Sequence, residues 1–178
     1  QKRFFAWQER FGLSHADAWT VTSQCLAERA IAFGAGAEAV HVLHNGVEIR
    51  SSAAESKMSP PDAAVYPAHE GPGSIPPSVA LYTRFAGTRP DAVEAIWRRV
   101  RELESGAVLA IIGRGVLGEE RRLSLLPGVE VKGWLSTEEI RAALERAALA
   151  IAPWENTAAN RARHSAKILE LMASGLPV

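Results

Sequence analysis

Cysteine is almost absent from this 178-residue sequence, which contains only Cys25. A single cysteine excludes an intramolecular disulfide framework and a zinc site built from cysteines. The five histidines are scattered along the chain, so we predict no metal site. No apolar run approaches the roughly 20 residues that a membrane-spanning helix requires, so we expect no transmembrane segment.

Net charge is also absent. Twenty Lys and Arg residues balance twenty Asp and Glu residues, which removes bulk electrostatic attraction, and we predict no nucleic-acid partner. Hydrophobic residues make up 47% of the chain, enough to bury a core. The chain starts at Gln1 and stops at Pro177 and Val178, which read like the first residues of a strand. We therefore expect a fragment of a longer protein, cut at both ends.

Short apolar runs alternate with amphipathic helices along the chain. In the first part we predict a helix over 2–13, a strand over 18–22, a helix from the cap Ser23 to about 33, and a strand over 40–43. Later we predict strands over 79–83, 107–112, 129–133 and 149–152, and helices over 90–104, 118–126, 136–147 and 164–174. This alternation favours the α/β class, with a parallel sheet covered by helices on both faces.

Composition divides the chain into three parts. Residues 51–78 contain six prolines and no periodic pattern, and we interpret them as a linker or a surface insertion. We predict that residues 1–50 form the closing βαβ unit of one Rossmann-like domain. Residues 79–178 are then part of a second domain.

Ligands of open parallel sheets lie beyond the carboxyl ends of the strands. In the second domain, Arg84 and Arg89 follow the first predicted strand, Gly113 follows the next, and Gly133 and Trp134 follow the third. A polar loop that extends to residue 163 follows the fourth. Arginines and glycines on one rim suit a ligand that carries phosphates. The alternatives are solvated loop arginines and a core position for the tryptophan.

The helix predicted over 164–174 is apolar almost all round, apart from one polar stripe. His164, Lys167, Glu170 and Ser174 form that stripe at spacings of three and four. Charges on so buried a helix need partners, whereas on a half-exposed helix they would form only a weak surface pair. The start of the helix offers free N–H groups and the positive end of its dipole to an anion.

The segment over 167–178, KILELMASGLPV, resembles the donor-site helix and following strand of GT-B nucleotide-sugar glycosyltransferases of the family numbered four, also called group 1. Three further segments, in the family's order, strengthen the resemblance. They are ADAWTVTS over 16–23, VHVLHNGV over 40–47 and VKGWL over 131–135. The resemblance implies a GT-B fold, with the end of the acceptor domain over 1–50 and a partial donor-binding domain over 79–178.

The resemblance also implies donor-binding roles. Glu170 matches the second Glu of the family's Glu-x7-Glu motif, which binds the nucleotide ribose, but the first Glu is replaced by Ala162, with Glu155 as a candidate substitute. Arg84 matches the arginine that binds the diphosphate, and Arg89 lies near the family's second basic residue. The remaining expected contacts are Lys167, the backbone N–H groups of His164, Ser165 and Ala166 at the phosphates, and Gly113, Gly133 and Trp134 at the base.

The implied activity is transfer of a sugar from a nucleotide-diphosphate sugar to a sugar, lipid or protein acceptor, in polysaccharide or glycoconjugate biosynthesis. The resemblance implies retention of anomeric configuration. We expect no metal and no cofactor, because two arginines, a lysine and a helix N-terminus can stabilise the leaving diphosphate. We assign no catalytic residue and expect the fragment alone to be inactive. The expected location is cytoplasmic, with peripheral attachment to the inner membrane face as an alternative.

Two other functions compete with this one. A catalytically inactive GT-B-like module that serves as a binding partner or scaffold is favoured by Ala162. A nicotinamide-dependent Rossmann dehydrogenase is disfavoured because no complete Gly-rich fingerprint follows its first strand.

Overall fold

The computed structural model describes residues 2–47 and 77–178. Backbone contacts divide them into two compact units, the first made of residues 2–46 and 156–166, the second of 47, 77–155 and 167–178. The linker or insertion predicted over 51–78 lies almost wholly outside the described residues, so the domain boundaries stay a prediction. No helix within the described ranges is long and apolar enough to cross a membrane.

The first unit contains the predicted βαβ arrangement. Helix α1 (Lys2–His15) is followed by strand β1 (Trp19–Val21), helix α2 (Gln24–Ala32), a 3-10 turn (Ala37–Ala39) and strand β2 (Val40–Val42). The two strands pair in parallel, with Trp19 opposite Val40. Ser23 caps α2 as predicted, because its hydroxyl accepts the Leu26 N–H at 3.2 Å.

The second unit is a four-stranded parallel sheet. Its elements are β3 (Ser78–Tyr82), α3 (Pro90–Leu103), β4 (Val108–Ile112), α4 (Glu119–Leu123), β5 (Val129–Gly133), α5 (Thr137–Glu145) and β6 (Leu149–Ala150). The strand order is β5-β4-β3-β6, so the chain winds outward from β3 in both directions. The carboxyl end of β3 therefore lies at the topological switch point, where ligands of open α/β sheets bind.

Apolar cores cover both faces of this sheet, as a doubly wound sheet requires. One core contains Leu81, Leu109 and Ile111 of the strands together with Val93 and Trp97 of α3. The buried members of the other core are Ala80, Ile112, Leu144, Ala150, Leu171 and Leu176. The α/β prediction, with helices on both faces of a parallel sheet, is confirmed.

Several predicted elements are shorter or less buried than the pattern suggests. The helix predicted over 118–126 spans Glu119–Leu123, and Gly118 lies before its first residue in a left-handed conformation with φ of 74°. On α3, Ile96 and Leu103 are 37% and 72% exposed, so only part of its apolar face packs on the sheet. The predicted strand over 149–152 has two residues, although the Ile151 N–H still donates to the Ala80 carbonyl at 2.9 Å.

The predictions for residues 156–174 need correction. The expected loop contains helix α6 (Ala158–Ala162), which begins because the Thr157 hydroxyl accepts the Asn160 N–H at 3.2 Å. The last helix, α7, spans Ala166–Ala173 and not 164–174. Arg163 is extended after α6, and the Asn45 side-chain amide donates to the His164 carbonyl. His164 therefore precedes the helix.

The last helix is also less buried than its composition suggests. Leu171 is its one buried residue, and Met172 is 61% exposed. A charged residue on this helix therefore does not need to be buried, which leaves its polar side chains accessible to a ligand.

Candidate functional site

Arg84 lies directly after β3, and a tight local structure fixes the turn that carries it. Thr83 is buried, and its hydroxyl accepts the Phe85 N–H at 2.8 Å. Phe85 has φ of 59°, a left-handed conformation that is costly for a bulky residue. The residue is 6% exposed within the core on one face of the sheet, and this burial holds the strained turn in place.

The ends of β3, β4 and β5 approach each other closely at Gly113. The Thr83 N–H donates to the Ile112 carbonyl at 3.0 Å, and the Gly113 N–H donates to the Gly133 carbonyl at 2.7 Å. Gly113 has φ of +108°, and a Cβ there would lie 2.2 Å from the Thr83 carbonyl oxygen. Both glycines are buried. The close packing of the strand ends therefore explains why position 113 is a glycine. The contact of Gly113 and Gly133 with a base stays a prediction.

Lys167, the second residue of α7, lies over the ring of Tyr82 at the end of β3. Its Nζ is 4.0 Å from the ring centroid. Burial lowers the pKa of Lys167, the charge of Arg84 lowers it further, and the charge of Glu170 opposes both. Burial, and next the Glu170 carboxylate, raise the pKa of the Tyr82 hydroxyl. These interactions bring Tyr82, Arg84, Lys167 and Glu170 together.

Trp134, directly after β5, borders the same cluster. The Arg84 Cζ lies 5.3 Å from the centroid of its ring, within the range of a cation–π contact. Trp134 is 59% exposed, so the alternative that it is a core residue is wrong. The ring and the guanidinium together span the carboxyl ends of two strands.

Within the part of the chain that the structure describes, the charged groups of this cluster act on one another but form no ion pairs. Among the described residues, no ion pair or side-chain hydrogen bond engages Arg84, Lys167 or the carboxylate of Glu170. Three exposed cations of the same unit are paired: Arg98 with Glu94, Arg99 with Glu102, and Lys132 with Glu130. The unpaired cations of the cluster are thus available to an anionic ligand.

Arg89 differs from Arg84 in this respect. Its guanidinium forms an ion pair with the Asp91 carboxylate, and its Nε donates to that carboxylate at 3.0 Å. This hydrogen bond raises the pKa of Arg89 and lowers the pKa of Asp91. A phosphate at Arg89 would have to displace that carboxylate, so the structure does not favour the diphosphate role expected for it.

The three residues expected to offer backbone N–H groups belong to the first unit. The His164 ring stacks on the His44 ring with centroids 4.6 Å apart, and its Nδ1 is buried without a hydrogen-bond partner among the described residues. Ser165 is half-buried, and Ala166 is exposed at the start of α7. Their predicted phosphate contacts stay predictions, and His164 is not part of the helix.

Ala162, which replaces the first motif Glu, is buried and hydrogen-bonded through its backbone. It is 8% exposed at the end of α6, and its carbonyl accepts a hydrogen bond from the Ser23 hydroxyl at 2.5 Å. Glu155 is exposed, and its N–H donates to the Gly87 carbonyl at 2.9 Å. Nothing in these contacts assigns the missing sugar contact to Glu155.

Tyr82 belongs to the cluster, although the sequence pattern identifies it only as part of an apolar strand. A tyrosine at the last strand position, just before a candidate phosphate ligand, is nevertheless a usable signal. Its contact with Lys167 joins residues 85 positions apart, which no local pattern shows.

A separate groove of about 580 Å³ lies at the edge of the sheet, lined in part by Arg114, Gly115, Leu117, Arg121 and Val131. Glu120 also lines the groove, and its buried carboxylate accepts the Gly115 N–H at 3.0 Å. This hydrogen bond lowers the pKa of Glu120. The interaction fixes the turn after β4.

Two family profiles match the sequence. Residues 1–46 match the sequence profile of the glycosyl transferase 4-like domain, and residues 81–178 match that of glycosyl transferases group 1. No curated protein matches the chain by sequence.

Solved structures give the fold. A point mutant of S. aureus TarM, in complex with fondaparinux, α-GlcNAc-glycerol and UDP, is 16% identical with a TM-score of 0.64, over 94% of this chain and 30% of TarM. Anabaena HepE in complex with UDP and glucose is 16% identical with a TM-score of 0.59, over 94% of this chain and 45% of HepE. The lipopolysaccharide outer core galactosyltransferase WaaB is 20% identical with a TM-score of 0.55, over 92% of this chain and 43% of WaaB.

The chain thus spans less than half the length of these structures. Its likeness to them confirms the prediction of a GT-B type fold. The group 1 profile covers residues 81–178, more than half of the sequence. The chain therefore belongs to the glycosyl transferases group 1 family.

Proposed function

We propose that the protein containing this chain transfers a sugar from a nucleotide-diphosphate sugar to an acceptor, and that the second unit binds the donor. One observation carries the proposal: Arg84 and Lys167 lie without ion-pair partners among the described residues, together with the Glu170 carboxylate, at the switch point of the sheet. The family match supports the same reaction class.

The cluster suits a leaving nucleoside diphosphate. Breaking the sugar–phosphate bond leaves negative charge on the diphosphate, and fixed cations stabilise that charge in the transition state. Arg84 offers two parallel N–H donors, and Lys167 adds a positive charge from the first turn of α7. We propose that these groups act without a metal and without a cofactor, as the resemblance implies.

The nucleoside would extend toward Glu170 and Trp134. A carboxylate accepts hydrogen bonds from ribose hydroxyls, and an exposed indole ring offers a stacking surface to a base. TarM and HepE are described in complexes with UDP, which makes UDP the first ligand to test.

Calorimetric titration of the full-length protein with UDP tests the proposal. We expect R84A and E170Q to weaken binding roughly tenfold or more, because each charged hydrogen bond contributes about 1.5–3 kcal/mol. R99A and E102Q are matched controls, since these two side chains pair with each other on the exposed face of α3. Affinity unchanged in R84A and E170Q would refute the donor site.

Other parts of the proposal rest on the family resemblance alone. These are retention of anomeric configuration, a sugar, lipid or protein acceptor, and a cytoplasmic location with peripheral membrane attachment as the alternative. Proton NMR of the product anomer tests the stereochemistry. We also propose that the chain alone does not turn over, which an assay with the purified chain tests.

A catalytically inactive binding or scaffold module is the second candidate. It is favoured by Ala162, which is buried where the family has a sugar-binding Glu. This alternative predicts that the full-length protein binds no UDP, GDP or ADP. Nucleotide binding that is lost in R84A supports the transferase instead.

A further inference from the structure

We propose that Tyr82 is a positioning residue: its ring holds the Lys167 ammonium in place for a diphosphate and keeps it from pairing with Glu170. This inference rests on the proposed function and deepens it. No role for Tyr82 follows from the sequence motifs of the site.

The geometry of the contact places the cation over the face of the ring. The Lys167 Nζ lies 4.0 Å from the Tyr82 ring centroid, closer than the roughly 6 Å limit for a cation–π interaction. Tyr82 is half-buried and packs beside the core that contains Ile112 and Leu171. The ring is therefore a fixed platform, and Lys167 is half-buried above it. Partial desolvation strengthens such a contact.

The neighbouring charges explain why a platform is needed. Glu170 is three residues after Lys167 on the same helix, a spacing at which Lys and Glu side chains readily pair. Among the described residues the two form no ion pair. An ion pair between them would neutralise the cation meant for phosphate and occupy the carboxylate meant for ribose. The ring keeps both groups available.

The face of the ring, and not its hydroxyl, makes the contact. Among the residues described, no hydrogen bond engages the Tyr82 hydroxyl. Phenylalanine should therefore replace tyrosine, whereas leucine is apolar but smaller and has no π system. Uridine binding and a K167M background then separate the ring's electrostatic role from the loss of packing.

The test measures UDP and uridine affinity by titration of the full-length protein. We expect Y82F to bind UDP within about twofold of the unmodified protein and Y82L to bind it about threefold to tenfold more weakly. Uridine affinity should stay unchanged in Y82L, because uridine carries no phosphate for Lys167 to bind. In a K167M background, adding Y82L should cause no further loss of UDP affinity.

Two results would overturn the inference. The first is that Y82L binds UDP as tightly as the unmodified protein. The second is that Y82L lowers UDP affinity by the same factor in the K167M background, or lowers uridine affinity by that factor, which would indicate a packing role only. Failure of the proposed function looks different, since UDP affinity would then be unchanged in R84A and K167M as well. If Y82L does not fold, Y82F and Y82M replace it, with loss expected in Y82M alone.

Discussion

Substituting Gly113 by alanine tests the close approach of the strand ends that builds the site. The added Cβ would lie 2.2 Å from the Thr83 carbonyl oxygen, which is backbone and cannot rotate away. The positive φ of +108° adds strain of about 1–2 kcal/mol. Overpacking in a fixed environment costs about 1–3 kcal/mol. We therefore expect G113A to lower the free energy of unfolding by about 2–5 kcal/mol.

Gly118 supplies the matched control within the same unit. It also has a positive φ, of +74°, but a Cβ there meets only the Arg121 side chain at 3.4 Å. G118A should therefore cost about 1 kcal/mol, from strain alone. Urea unfolding of both variants, followed by circular dichroism, measures the difference. Equal losses in G113A and G118A would refute the close approach of Thr83 and with it the packed strand ends beneath Arg84.

Three further predictions follow from individual contacts. R89A should leave UDP affinity within about twofold of that of the unmodified protein, since Asp91 already neutralises Arg89. A tenfold loss of affinity, measured by titration, would show that Arg89 does bind the diphosphate. A162E should lower the melting temperature without improving UDP-sugar binding, because position 162 is buried; tighter sugar binding would contradict this. Glu120 has a lowered folded-state pKa, so its stabilisation is present above its ordinary pKa of 4.5 and disappears as pH falls through the folded value. E120Q should thus have a lower melting temperature than the unmodified chain at pH 7, and the difference in melting temperature should decrease below pH 4.5. A difference that does not change with pH would contradict this.

Much of the fold can be predicted from the sequence because its signals are local. Ser136 and Glu139 have the sequence spacing of a capping box, and both reciprocal hydrogen bonds of that motif are present. Apolar runs mark the strands, since strands buried on both faces need them. The rim position of Arg84 is predictable because parallel strands end at one edge, and the structure places it beside Lys167 and near Trp134.

The remaining features depend on contacts that a linear pattern does not contain. Helix α6 has only five residues and no apolar period, so its one signal is the Thr157 cap. His164 is held outside the last helix by Asn45, which binds its carbonyl from 119 positions away. Ile96 follows the helical period but is 37% exposed. The period alone does not define the width of the helix face that packs on the sheet.

Zero net charge does not exclude an anion site, and the pairing pattern explains why. Net charge counts every charged group equally, but a ligand responds to the charges left unpaired near it. On the surface of the second unit, Arg98, Arg99 and Lys132 lie within ion pairs with glutamates. Arg84 and Lys167 are held instead by aromatic rings, which attract a cation without neutralising it. A chain of balanced composition can therefore concentrate positive potential at one strand end.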